Sequence, residues 1–198
     1  MDFHQLIHDG HGWETLKSET RYANPYAQFR EVEVRTPTRP EPVHWTVVHR
    51  KGAAIVVPVT AGGDFLLVRQ ERIPVRDTLW EFPAGQIDEA GGGYNEEGIR
   101  ATALRELREE TGYAGAPAKL LGSVHPNPAI QSNRCHFILV EAAVPSHALD
   151  WDPDEEIHVT TEPVDDVLAL ARSGGIIHGL VLNALLLFEP HWRAMKKR

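Results

Sequence analysis

The sequence predicts a mixed α/β (α+β) fold, a sandwich in which helices cover a mixed central sheet that follows an amino-terminal β extension. Three observations support this prediction. Strand patterns stand on both sides of one central helical pattern, further helical patterns follow them, and a proline-rich break at residues 37–42 sets the first fifty residues apart. A chain of 198 residues is long enough for one substantial core and an appendage. We therefore expect an extension over residues 1–50 and a main domain over residues 51–198.

Two strands are expected in the extension. Residues 29–35 alternate apolar and polar side chains, which is typical of a half-buried strand, and residues 44–49 form a second strand after the prolines. The almost wholly apolar run at 52–60 is typical of a strand in the middle of a sheet. Residues 65–72 form its antiparallel neighbour, because the short link between them contains the glycines and aspartate that a tight hairpin requires.

The pattern then changes to a helical period over residues 95–111, and Gly112 stands where a glycine ends a helix. Further elements follow in the carboxyl-terminal half: strands at 119–125, 135–144 and 157–161, a short helix that begins at 163–166, and an amphipathic helix at 177–188.

Composition and charge exclude several functional classes. The formal net charge is −8, and no run of basic residues offers a surface for duplex nucleic acid. The longest apolar stretch, residues 179–188, is much shorter than the roughly 20 residues that span a bilayer. The amino terminus lacks the pattern of a secretory signal, and one cysteine, Cys135, cannot form an internal disulfide. We expect a cytoplasmic protein that binds neither nucleic acid nor membranes.

Three carboxylates fall on one face of the predicted central helix. Glu106, Glu109 and Glu110 are spaced i, i+3 and i+4, so they lie close together and repel one another unless a positive charge compensates them. Carboxylate oxygens are ligands that Mg²⁺ prefers, usually together with water and a substrate phosphate. A charged, solvated helix face is the alternative interpretation of these three residues alone.

The wider pattern resembles the Nudix box. Glu97, seven intervening residues, then Arg105-Glu106, an aliphatic residue, a spacer, Glu109-Glu110, a spacer, Gly112 and Tyr113 reproduce its order. The resemblance implies a Nudix-type α/β/α sandwich and a site for Mg²⁺, with Mn²⁺ as a substitute. It assigns the metal to Glu106, Glu109 and Glu110, and it implies that Glu97 and Arg105 form a structural pair.

The segment before the box resembles that of the ADP-ribose pyrophosphatases and related nucleoside diphosphate sugar hydrolases. Residues 81–88 read EFPAGQID, like the E-x-P-A-G-x-I-D of that subfamily. The resemblance directs Glu81 to the substrate and the main-chain carbonyl of Ala84 to the metal. Gly91 has the usual spacing to Glu97, whereas Gly85 has the matching local context and requires a six-residue insertion, so both remain candidates for the box glycine.

Further likenesses lie outside the box. The strand that ends at Arg72 resembles one whose arginine contacts a substrate phosphate in these enzymes, and Pro128 stands in the place of their proline loop. Residues 22–26 and the strands after them resemble an extension that is exchanged between the subunits of a homodimer. By the same likeness, Trp45 or Trp13 stacks on the base, although a large aromatic beside a strand more commonly packs in a core or interface.

The acidic segment 150–156 stands where ADP-ribose pyrophosphatases carry a mobile catalytic glutamate. Alignment with their E-x-I/F-x-V pattern favours Glu155 as the general base, with Glu156 second. A solvated acidic loop is the alternative, in which case Glu109 on the helix takes the proton.

The resemblance implies Mg²⁺-dependent hydrolysis of a pyrophosphate bond in a small nucleotide, with ADP-ribose as the leading substrate and AMP and ribose 5-phosphate as products. GDP-mannose or another nucleotide sugar is the first alternative, because nothing in the box reads the base or sugar. A noncatalytic Nudix-type ligand sensor is an alternative of another class. The intact carboxylates of the box argue against a sensor.

Overall fold

The computed structural model describes residues 9–87, 93–149 and 157–196. The chain divides into two compact units, of which one ends at Gly52 and also contains His125–Arg134. The other comprises Ala53–Val124 and continues from Cys135. The first unit therefore includes a segment that is distant in sequence, which no pattern of residues indicates.

The first unit contains a three-stranded antiparallel sheet in the order β1–β2–β3. Its strands are β1 (Glu14–Ala23), β2 (Ala27–Arg35) and β3 (Val43–Arg50). Strands β2 and β3 agree with the expected positions, whereas β1 was not predicted. Strand β1 has no apolar face to reveal it, since Thr15 and Ser18 are its only half-buried residues and the others are exposed.

The segment 125–134 is attached to β3 by main-chain hydrogen bonds. The N–H of Val48 donates to the carbonyl of Ile130 at 2.8 Å, and the N–H of Ser132 donates to the carbonyl of Val48 at 3.2 Å. The side chain of Asn133 donates to the carbonyl of Lys51 at 3.1 Å. These bonds hold a loop without regular structure in a defined position on the sheet.

The second unit is built on an eight-stranded mixed sheet in the order β11–β5–β4–β10–β8, with β6 paired to β5, β7 to β4 and β9 to β10. The central strand β4 runs parallel to β10 and antiparallel to β5 and β7. The strands are β4 (Ala53–Thr60), β5 (Asp64–Arg72), β6 (Asp77–Glu81), β7 (Ala84–Gln86), β8 (Tyr113–Ala114), β9 (Ala118–Val124), β10 (Cys135–Pro145) and β11 (Ile157–Pro163).

Three helices complete this unit: α1 (Glu96–Thr111), α2 (Val164–Arg172) and α3 (Gly179–Met195). Helix α1 begins where Asn95 accepts a hydrogen bond from the N–H of Gly98, and it ends at Gly112, whose φ of 73° is left-handed. Helix α3 extends beyond the predicted end at residue 188, because contacts after Pro190 hold its last turns. There the indole of Trp192 donates to Asp165 at 2.9 Å.

Both faces of the large sheet are buried. Along β4, Ile55, Val57 and Val59 pack in a core with α2 and α3. Ala54 and Val56 point to the opposite face and pack in a second core with α1. Two separate apolar clusters on one strand therefore define an α/β/α sandwich, and the predicted fold class is confirmed.

Among the described helices, none is both long enough and apolar enough to cross a membrane.

Candidate active site

A buried ion pair joins strands β5 and β6. In their antiparallel register Val68 faces Glu81, so Glu81 and Arg72 project from the same face of the pair. The guanidinium of Arg72 donates from Nε to Oε1 and from Nη2 to Oε2 of Glu81, both at 2.6 Å. Only 4% of Glu81 is exposed, whereas 40% of the Arg72 side chain is exposed. Two hydrogen bonds thus anchor a partly exposed cation to the buried carboxylate.

The three carboxylates of the central helix differ in exposure. Glu110 is buried, and Glu106 and Glu109 are half-buried, with 13% and 25% of their side chains exposed. Their position follows from the apolar face of α1, where Ile99, Ala103 and Leu107 pack against the sheet. The carboxylates therefore stand at the border of a core rather than on a solvated helix face.

Arg105 supplies the positive charge that these carboxylates require. Its Nη2 lies 2.5 Å from Oε1 of Glu106, and its Nη1 lies 2.5 Å from Oε2 of Glu109. Burial lowers the pKa of the guanidinium, but attraction to Glu106 and the contacts with Glu109 outweigh burial and raise the pKa. Within the described residues Arg105 makes no ion pair with Glu97, so the expected structural pair is replaced by these two contacts.

Strand β7 brings backbone against the same carboxylates. The N–H of Ala84 donates to Oε2 of Glu110 at 3.2 Å. A Cβ atom at Gly85 would lie 1.8 Å from Oε1 of Glu106. With Glu106 in this position, residue 85 has no room for a side chain, an observation that favours Gly85 as the candidate for the box glycine. Gly91, the other candidate, lies outside the described residues.

The carboxylates of helix α1 are not arranged around a common point where a metal ion could bind. In the described parts of the chain, no group of three His, Cys, Asp or Glu side chains is arranged to hold a metal ion. The donors nevertheless fit a hard divalent cation, because carboxylate oxygens crowd against a backbone that only glycine permits. The ligands would be Glu106, Glu109 and Glu110 with the carbonyl of Ala84.

Three further candidates lie in the first unit: Trp45, Pro128 and Trp13. Trp45 is 57% exposed, and its indole N–H donates to the carbonyl of Ala129 at 3.0 Å. It lines a cavity of about 560 Å³ together with charged residues of the small sheet. Pro128 is exposed in the adjoining loop, and Trp13 is 52% exposed. The predicted base Glu155, with its neighbour Glu156, lies outside the described residues.

One residue beside the candidate site was missed from the sequence. Nε2 of His178 lies 3.7 Å from Oε2 of Glu81. His178 stands nearly a hundred residues after Glu81, immediately before α3. A single histidine between glycines and aliphatic residues carries no pattern that would have indicated this contact.

The fold and the carboxylate helix define the class of the protein. Residues 48–180 match the family model for the NUDIX domain, and the chain therefore belongs to the Nudix family. A solved structure described as an ADP compounds hydrolase has the same fold, with a TM-score of 0.75 over 96% of this chain and 98% of that chain. At 18% sequence identity this likeness concerns the fold alone.

Relatives found by sequence are more similar to this chain than that solved structure is. An ADP-ribose pyrophosphatase of Bacillus subtilis (strain 168) is 32% identical over 128 residues, 64% of this chain and 66% of that protein. An ADP-ribose pyrophosphatase of Mycobacterium tuberculosis is 35% identical over 134 residues, 65% of this chain and 59% of that protein. The matches thus span about two thirds of those relatives or less. The predicted recognition, a Nudix hydrolase of the ADP-ribose pyrophosphatase type, is confirmed.

Proposed function

We propose that this protein hydrolyses the pyrophosphate bond of ADP-ribose, or of a related nucleoside diphosphate sugar, in the presence of Mg²⁺. The products would be a nucleoside monophosphate and a sugar phosphate. The observation that carries this proposal is the close approach of Gly85 to Glu106 on the helix that also bears Glu109 and Glu110. The ADP-ribose pyrophosphatases among its relatives support the choice of substrate.

Each charged residue of the candidate site has a separate role in the proposed hydrolysis. Arg72 carries a partly exposed guanidinium that Glu81 orients, which suits it to hold a phosphate of the substrate. The cation, when bound, neutralises phosphate oxygens and lowers the pKa of a coordinated water. Glu155 accepts the proton of the attacking water at its carboxylate, and Glu109 is the alternative base. Arg105 holds Glu106 and Glu109 in place before the cation arrives.

Recognition of the base is assigned to the first unit. The indole of Trp45 is more than half exposed and is held by its hydrogen bond to Ala129, which suits an aromatic ring that stacks on a ligand. Pro128, next to Ala129 in the same loop, limits the conformations of that loop. These contacts favour a flat, aromatic group such as a nucleobase.

We also propose that the protein is a homodimer formed through the small sheet. Large apolar side chains are exposed on that unit, among them Trp13, Leu16, Tyr22, Tyr26 and Phe29. Exposed apolar surface on and beside an edge strand such as β1 is typically covered by a partner.

The function is tested by incubating the purified protein with ADP-ribose, GDP-mannose and other nucleoside diphosphate sugars, with Mg²⁺ or with EDTA. Products are measured as phosphate released by added phosphatase, which attacks only the exposed monophosphates. We expect kcat/KM to be highest for ADP-ribose and turnover to cease in EDTA. A higher kcat/KM for GDP-mannose would identify GDP-mannose, and not ADP-ribose, as the preferred substrate. Tight binding without turnover of any compound would favour the sensor.

A further inference from the structure

Two basic side chains approach one oxygen of Glu81. Nη2 of Arg72 donates to Oε2 of Glu81 at 2.6 Å, and Nε2 of His178 lies 3.7 Å from the same oxygen. The distance to His178 is longer than a direct hydrogen bond, but a small movement of either side chain would bring Nε2 within hydrogen-bond distance of this oxygen. Because Glu81 is 4% exposed, water offers little substitute for either partner.

The fold holds His178 at this place. His178 precedes helix α3 in an extended conformation, with φ of −75° and ψ of 113°. On its two sides Ile176 and Val181 are buried in the core that α3 shares with the large sheet. The carboxylate of Glu81 therefore lies near the amino-terminal end of α3, where the helix dipole favours a negative charge.

The surroundings of the imidazole fix its tautomer. Nδ1 of His178 is buried and has no hydrogen-bond partner among the described residues. A proton on Nδ1 would bury an unsatisfied donor, whereas a proton on Nε2 is directed toward Glu81. Of the two neutral tautomers, the one with its hydrogen on Nε2 therefore suits this site better.

We propose that His178 is a positioning residue that holds Glu81 while Arg72 turns toward a substrate phosphate. When Nη2 of Arg72 leaves Oε2 of Glu81, the N–H of His178 closes on that oxygen, and Nε of Arg72 keeps its bond to Oε1. The buried carboxylate is thus never left with an unsatisfied oxygen, and Arg72 binds the phosphate without losing its anchor. This inference rests on the proposed function, which gives Arg72 its phosphate.

Two substitutions separate positioning from packing. His178→Leu removes the donor at similar volume, and His178→Gln places an amide N–H near the position of Nε2. We expect His178→Leu to raise KM for ADP-ribose by about tenfold while kcat changes less than about twofold, because the bond forms when substrate binds. His178→Gln should restore KM to within about threefold of wild type. His191→Leu, on the same helix, is the matched control and should leave both constants unchanged.

A double-mutant comparison tests whether His178 acts through Glu81. In Glu81→Met protein both acceptor oxygens are absent, so His178→Leu should no longer raise KM, as expected for two residues that act on one contact. The proposal is overturned if His178→Leu raises KM equally in both backgrounds, or if His178→Gln is no better than His178→Leu.

The tautomer is measured without substrate by nitrogen-15 NMR of the histidine rings in the wild-type protein. We expect the Nε2–H form for His178 and a change of its Nε2 signal in Glu81→Gln. A proton on Nδ1 would overturn the proposal even in an active enzyme. Absence of turnover with every nucleotide sugar would contradict the proposed function instead, and the NMR result would still decide the contact between His178 and Glu81.

Discussion

The backbone of Gly85 lies against the carboxylate of Glu106, where a Cβ atom would stand 1.8 Å from Oε1 and 1.9 Å from Cδ. Strand β7 can approach helix α1 this closely because it is tied to β4, where the N–H of Val56 donates to the carbonyl of Pro83 at 2.8 Å. One missing side chain thus brings a strand and a carboxylate together at the candidate metal site.

We expect Gly85→Ala to reduce kcat/KM by about 10² or more, because the new methyl group must displace Glu106 and with it a metal ligand. Titration with Mn²⁺ should show weaker binding in the same variant. Gly62→Ala is the matched control, since a Cβ there meets its nearest atom at an ordinary 3.6 Å. Normal turnover of Gly85→Ala would show that Glu106 is not held by this contact.

Sequence patterns predicted those elements of the fold that contribute an apolar face. Strand β4 and helix α1 agree with the prediction within one or two residues. Strand β4 is a continuous apolar run that is buried except at its two ends, and in α1 the buried positions recur with a helical period. The short strands β6, β7 and β8 and the exposed strand β1 were missed. Their positions depend on pairing with strands distant in sequence rather than on a pattern of their own.

The candidate site was predictable where its residues lie on one element. The spacing of Glu106, Glu109 and Glu110 places them on one face of any helix. By contrast, the contacts of Arg105 depend on side-chain orientation, and the contact between His178 and Glu81 depends on the docking of α3. Tertiary packing alone determines these contacts, so no spacing in the sequence indicates them.

We expect Glu110→Gln to reduce turnover by about 10² or more at limiting Mg²⁺, because the substitution keeps the shape of the side chain and removes its charge. The amide oxygen can still accept from Ala84, so the fold should be retained, which circular dichroism will verify. Glu96→Gln on the same helix is the control, since Glu96 is exposed and pairs with Arg100. Near-native turnover of Glu110→Gln would contradict a metal-ligating role.

The predicted homodimer is tested by light scattering at micromolar concentration. We expect a mass near twice the 22.1 kDa of one chain. Tyr26→Glu should shift the protein toward monomer, because it introduces charge at a tyrosine that is 62% exposed in the turn between β1 and β2. Ile177→Glu, at a similarly exposed position of the second unit, is the control. A wild-type monomer would rule out the dimer.

A surface cluster at the end of α3 predicts a dependence of stability on pH. Hydrogen bonds from Lys196 and Trp192 lower the pKa of Asp165 below its ordinary value of 3.8. A carboxyl whose pKa is lower in the folded state stabilises the fold above the ordinary pKa and loses this contribution as pH falls through the folded pKa. Asp165→Asn should therefore lower Tm at pH 7, and this difference should shrink as the pH is lowered below 3.8.

The control for that measurement is Asp166→Asn. Asp166 also lies in the first turn of α2, so it shares the favourable helix dipole, but the described residues give it no ion pair. Added salt should also reduce the effect of Asp165→Asn, since the pair is exposed. An equal loss of Tm in the two variants would assign the effect to the helix dipole alone.

The general base is the last assignment to test. If Glu155 is the base, Glu155→Gln should lower kcat strongly and change KM and metal affinity little, because its interaction belongs to the transition state. Glu109→Gln should weaken metal binding, since Glu109 is a proposed ligand. The alternative gives the opposite result: Glu155→Gln keeps most of kcat, and Glu109→Gln loses it while still binding metal. Measuring kcat together with Mn²⁺ affinity in both variants distinguishes a base in the acidic segment 150–156 from a base on helix α1.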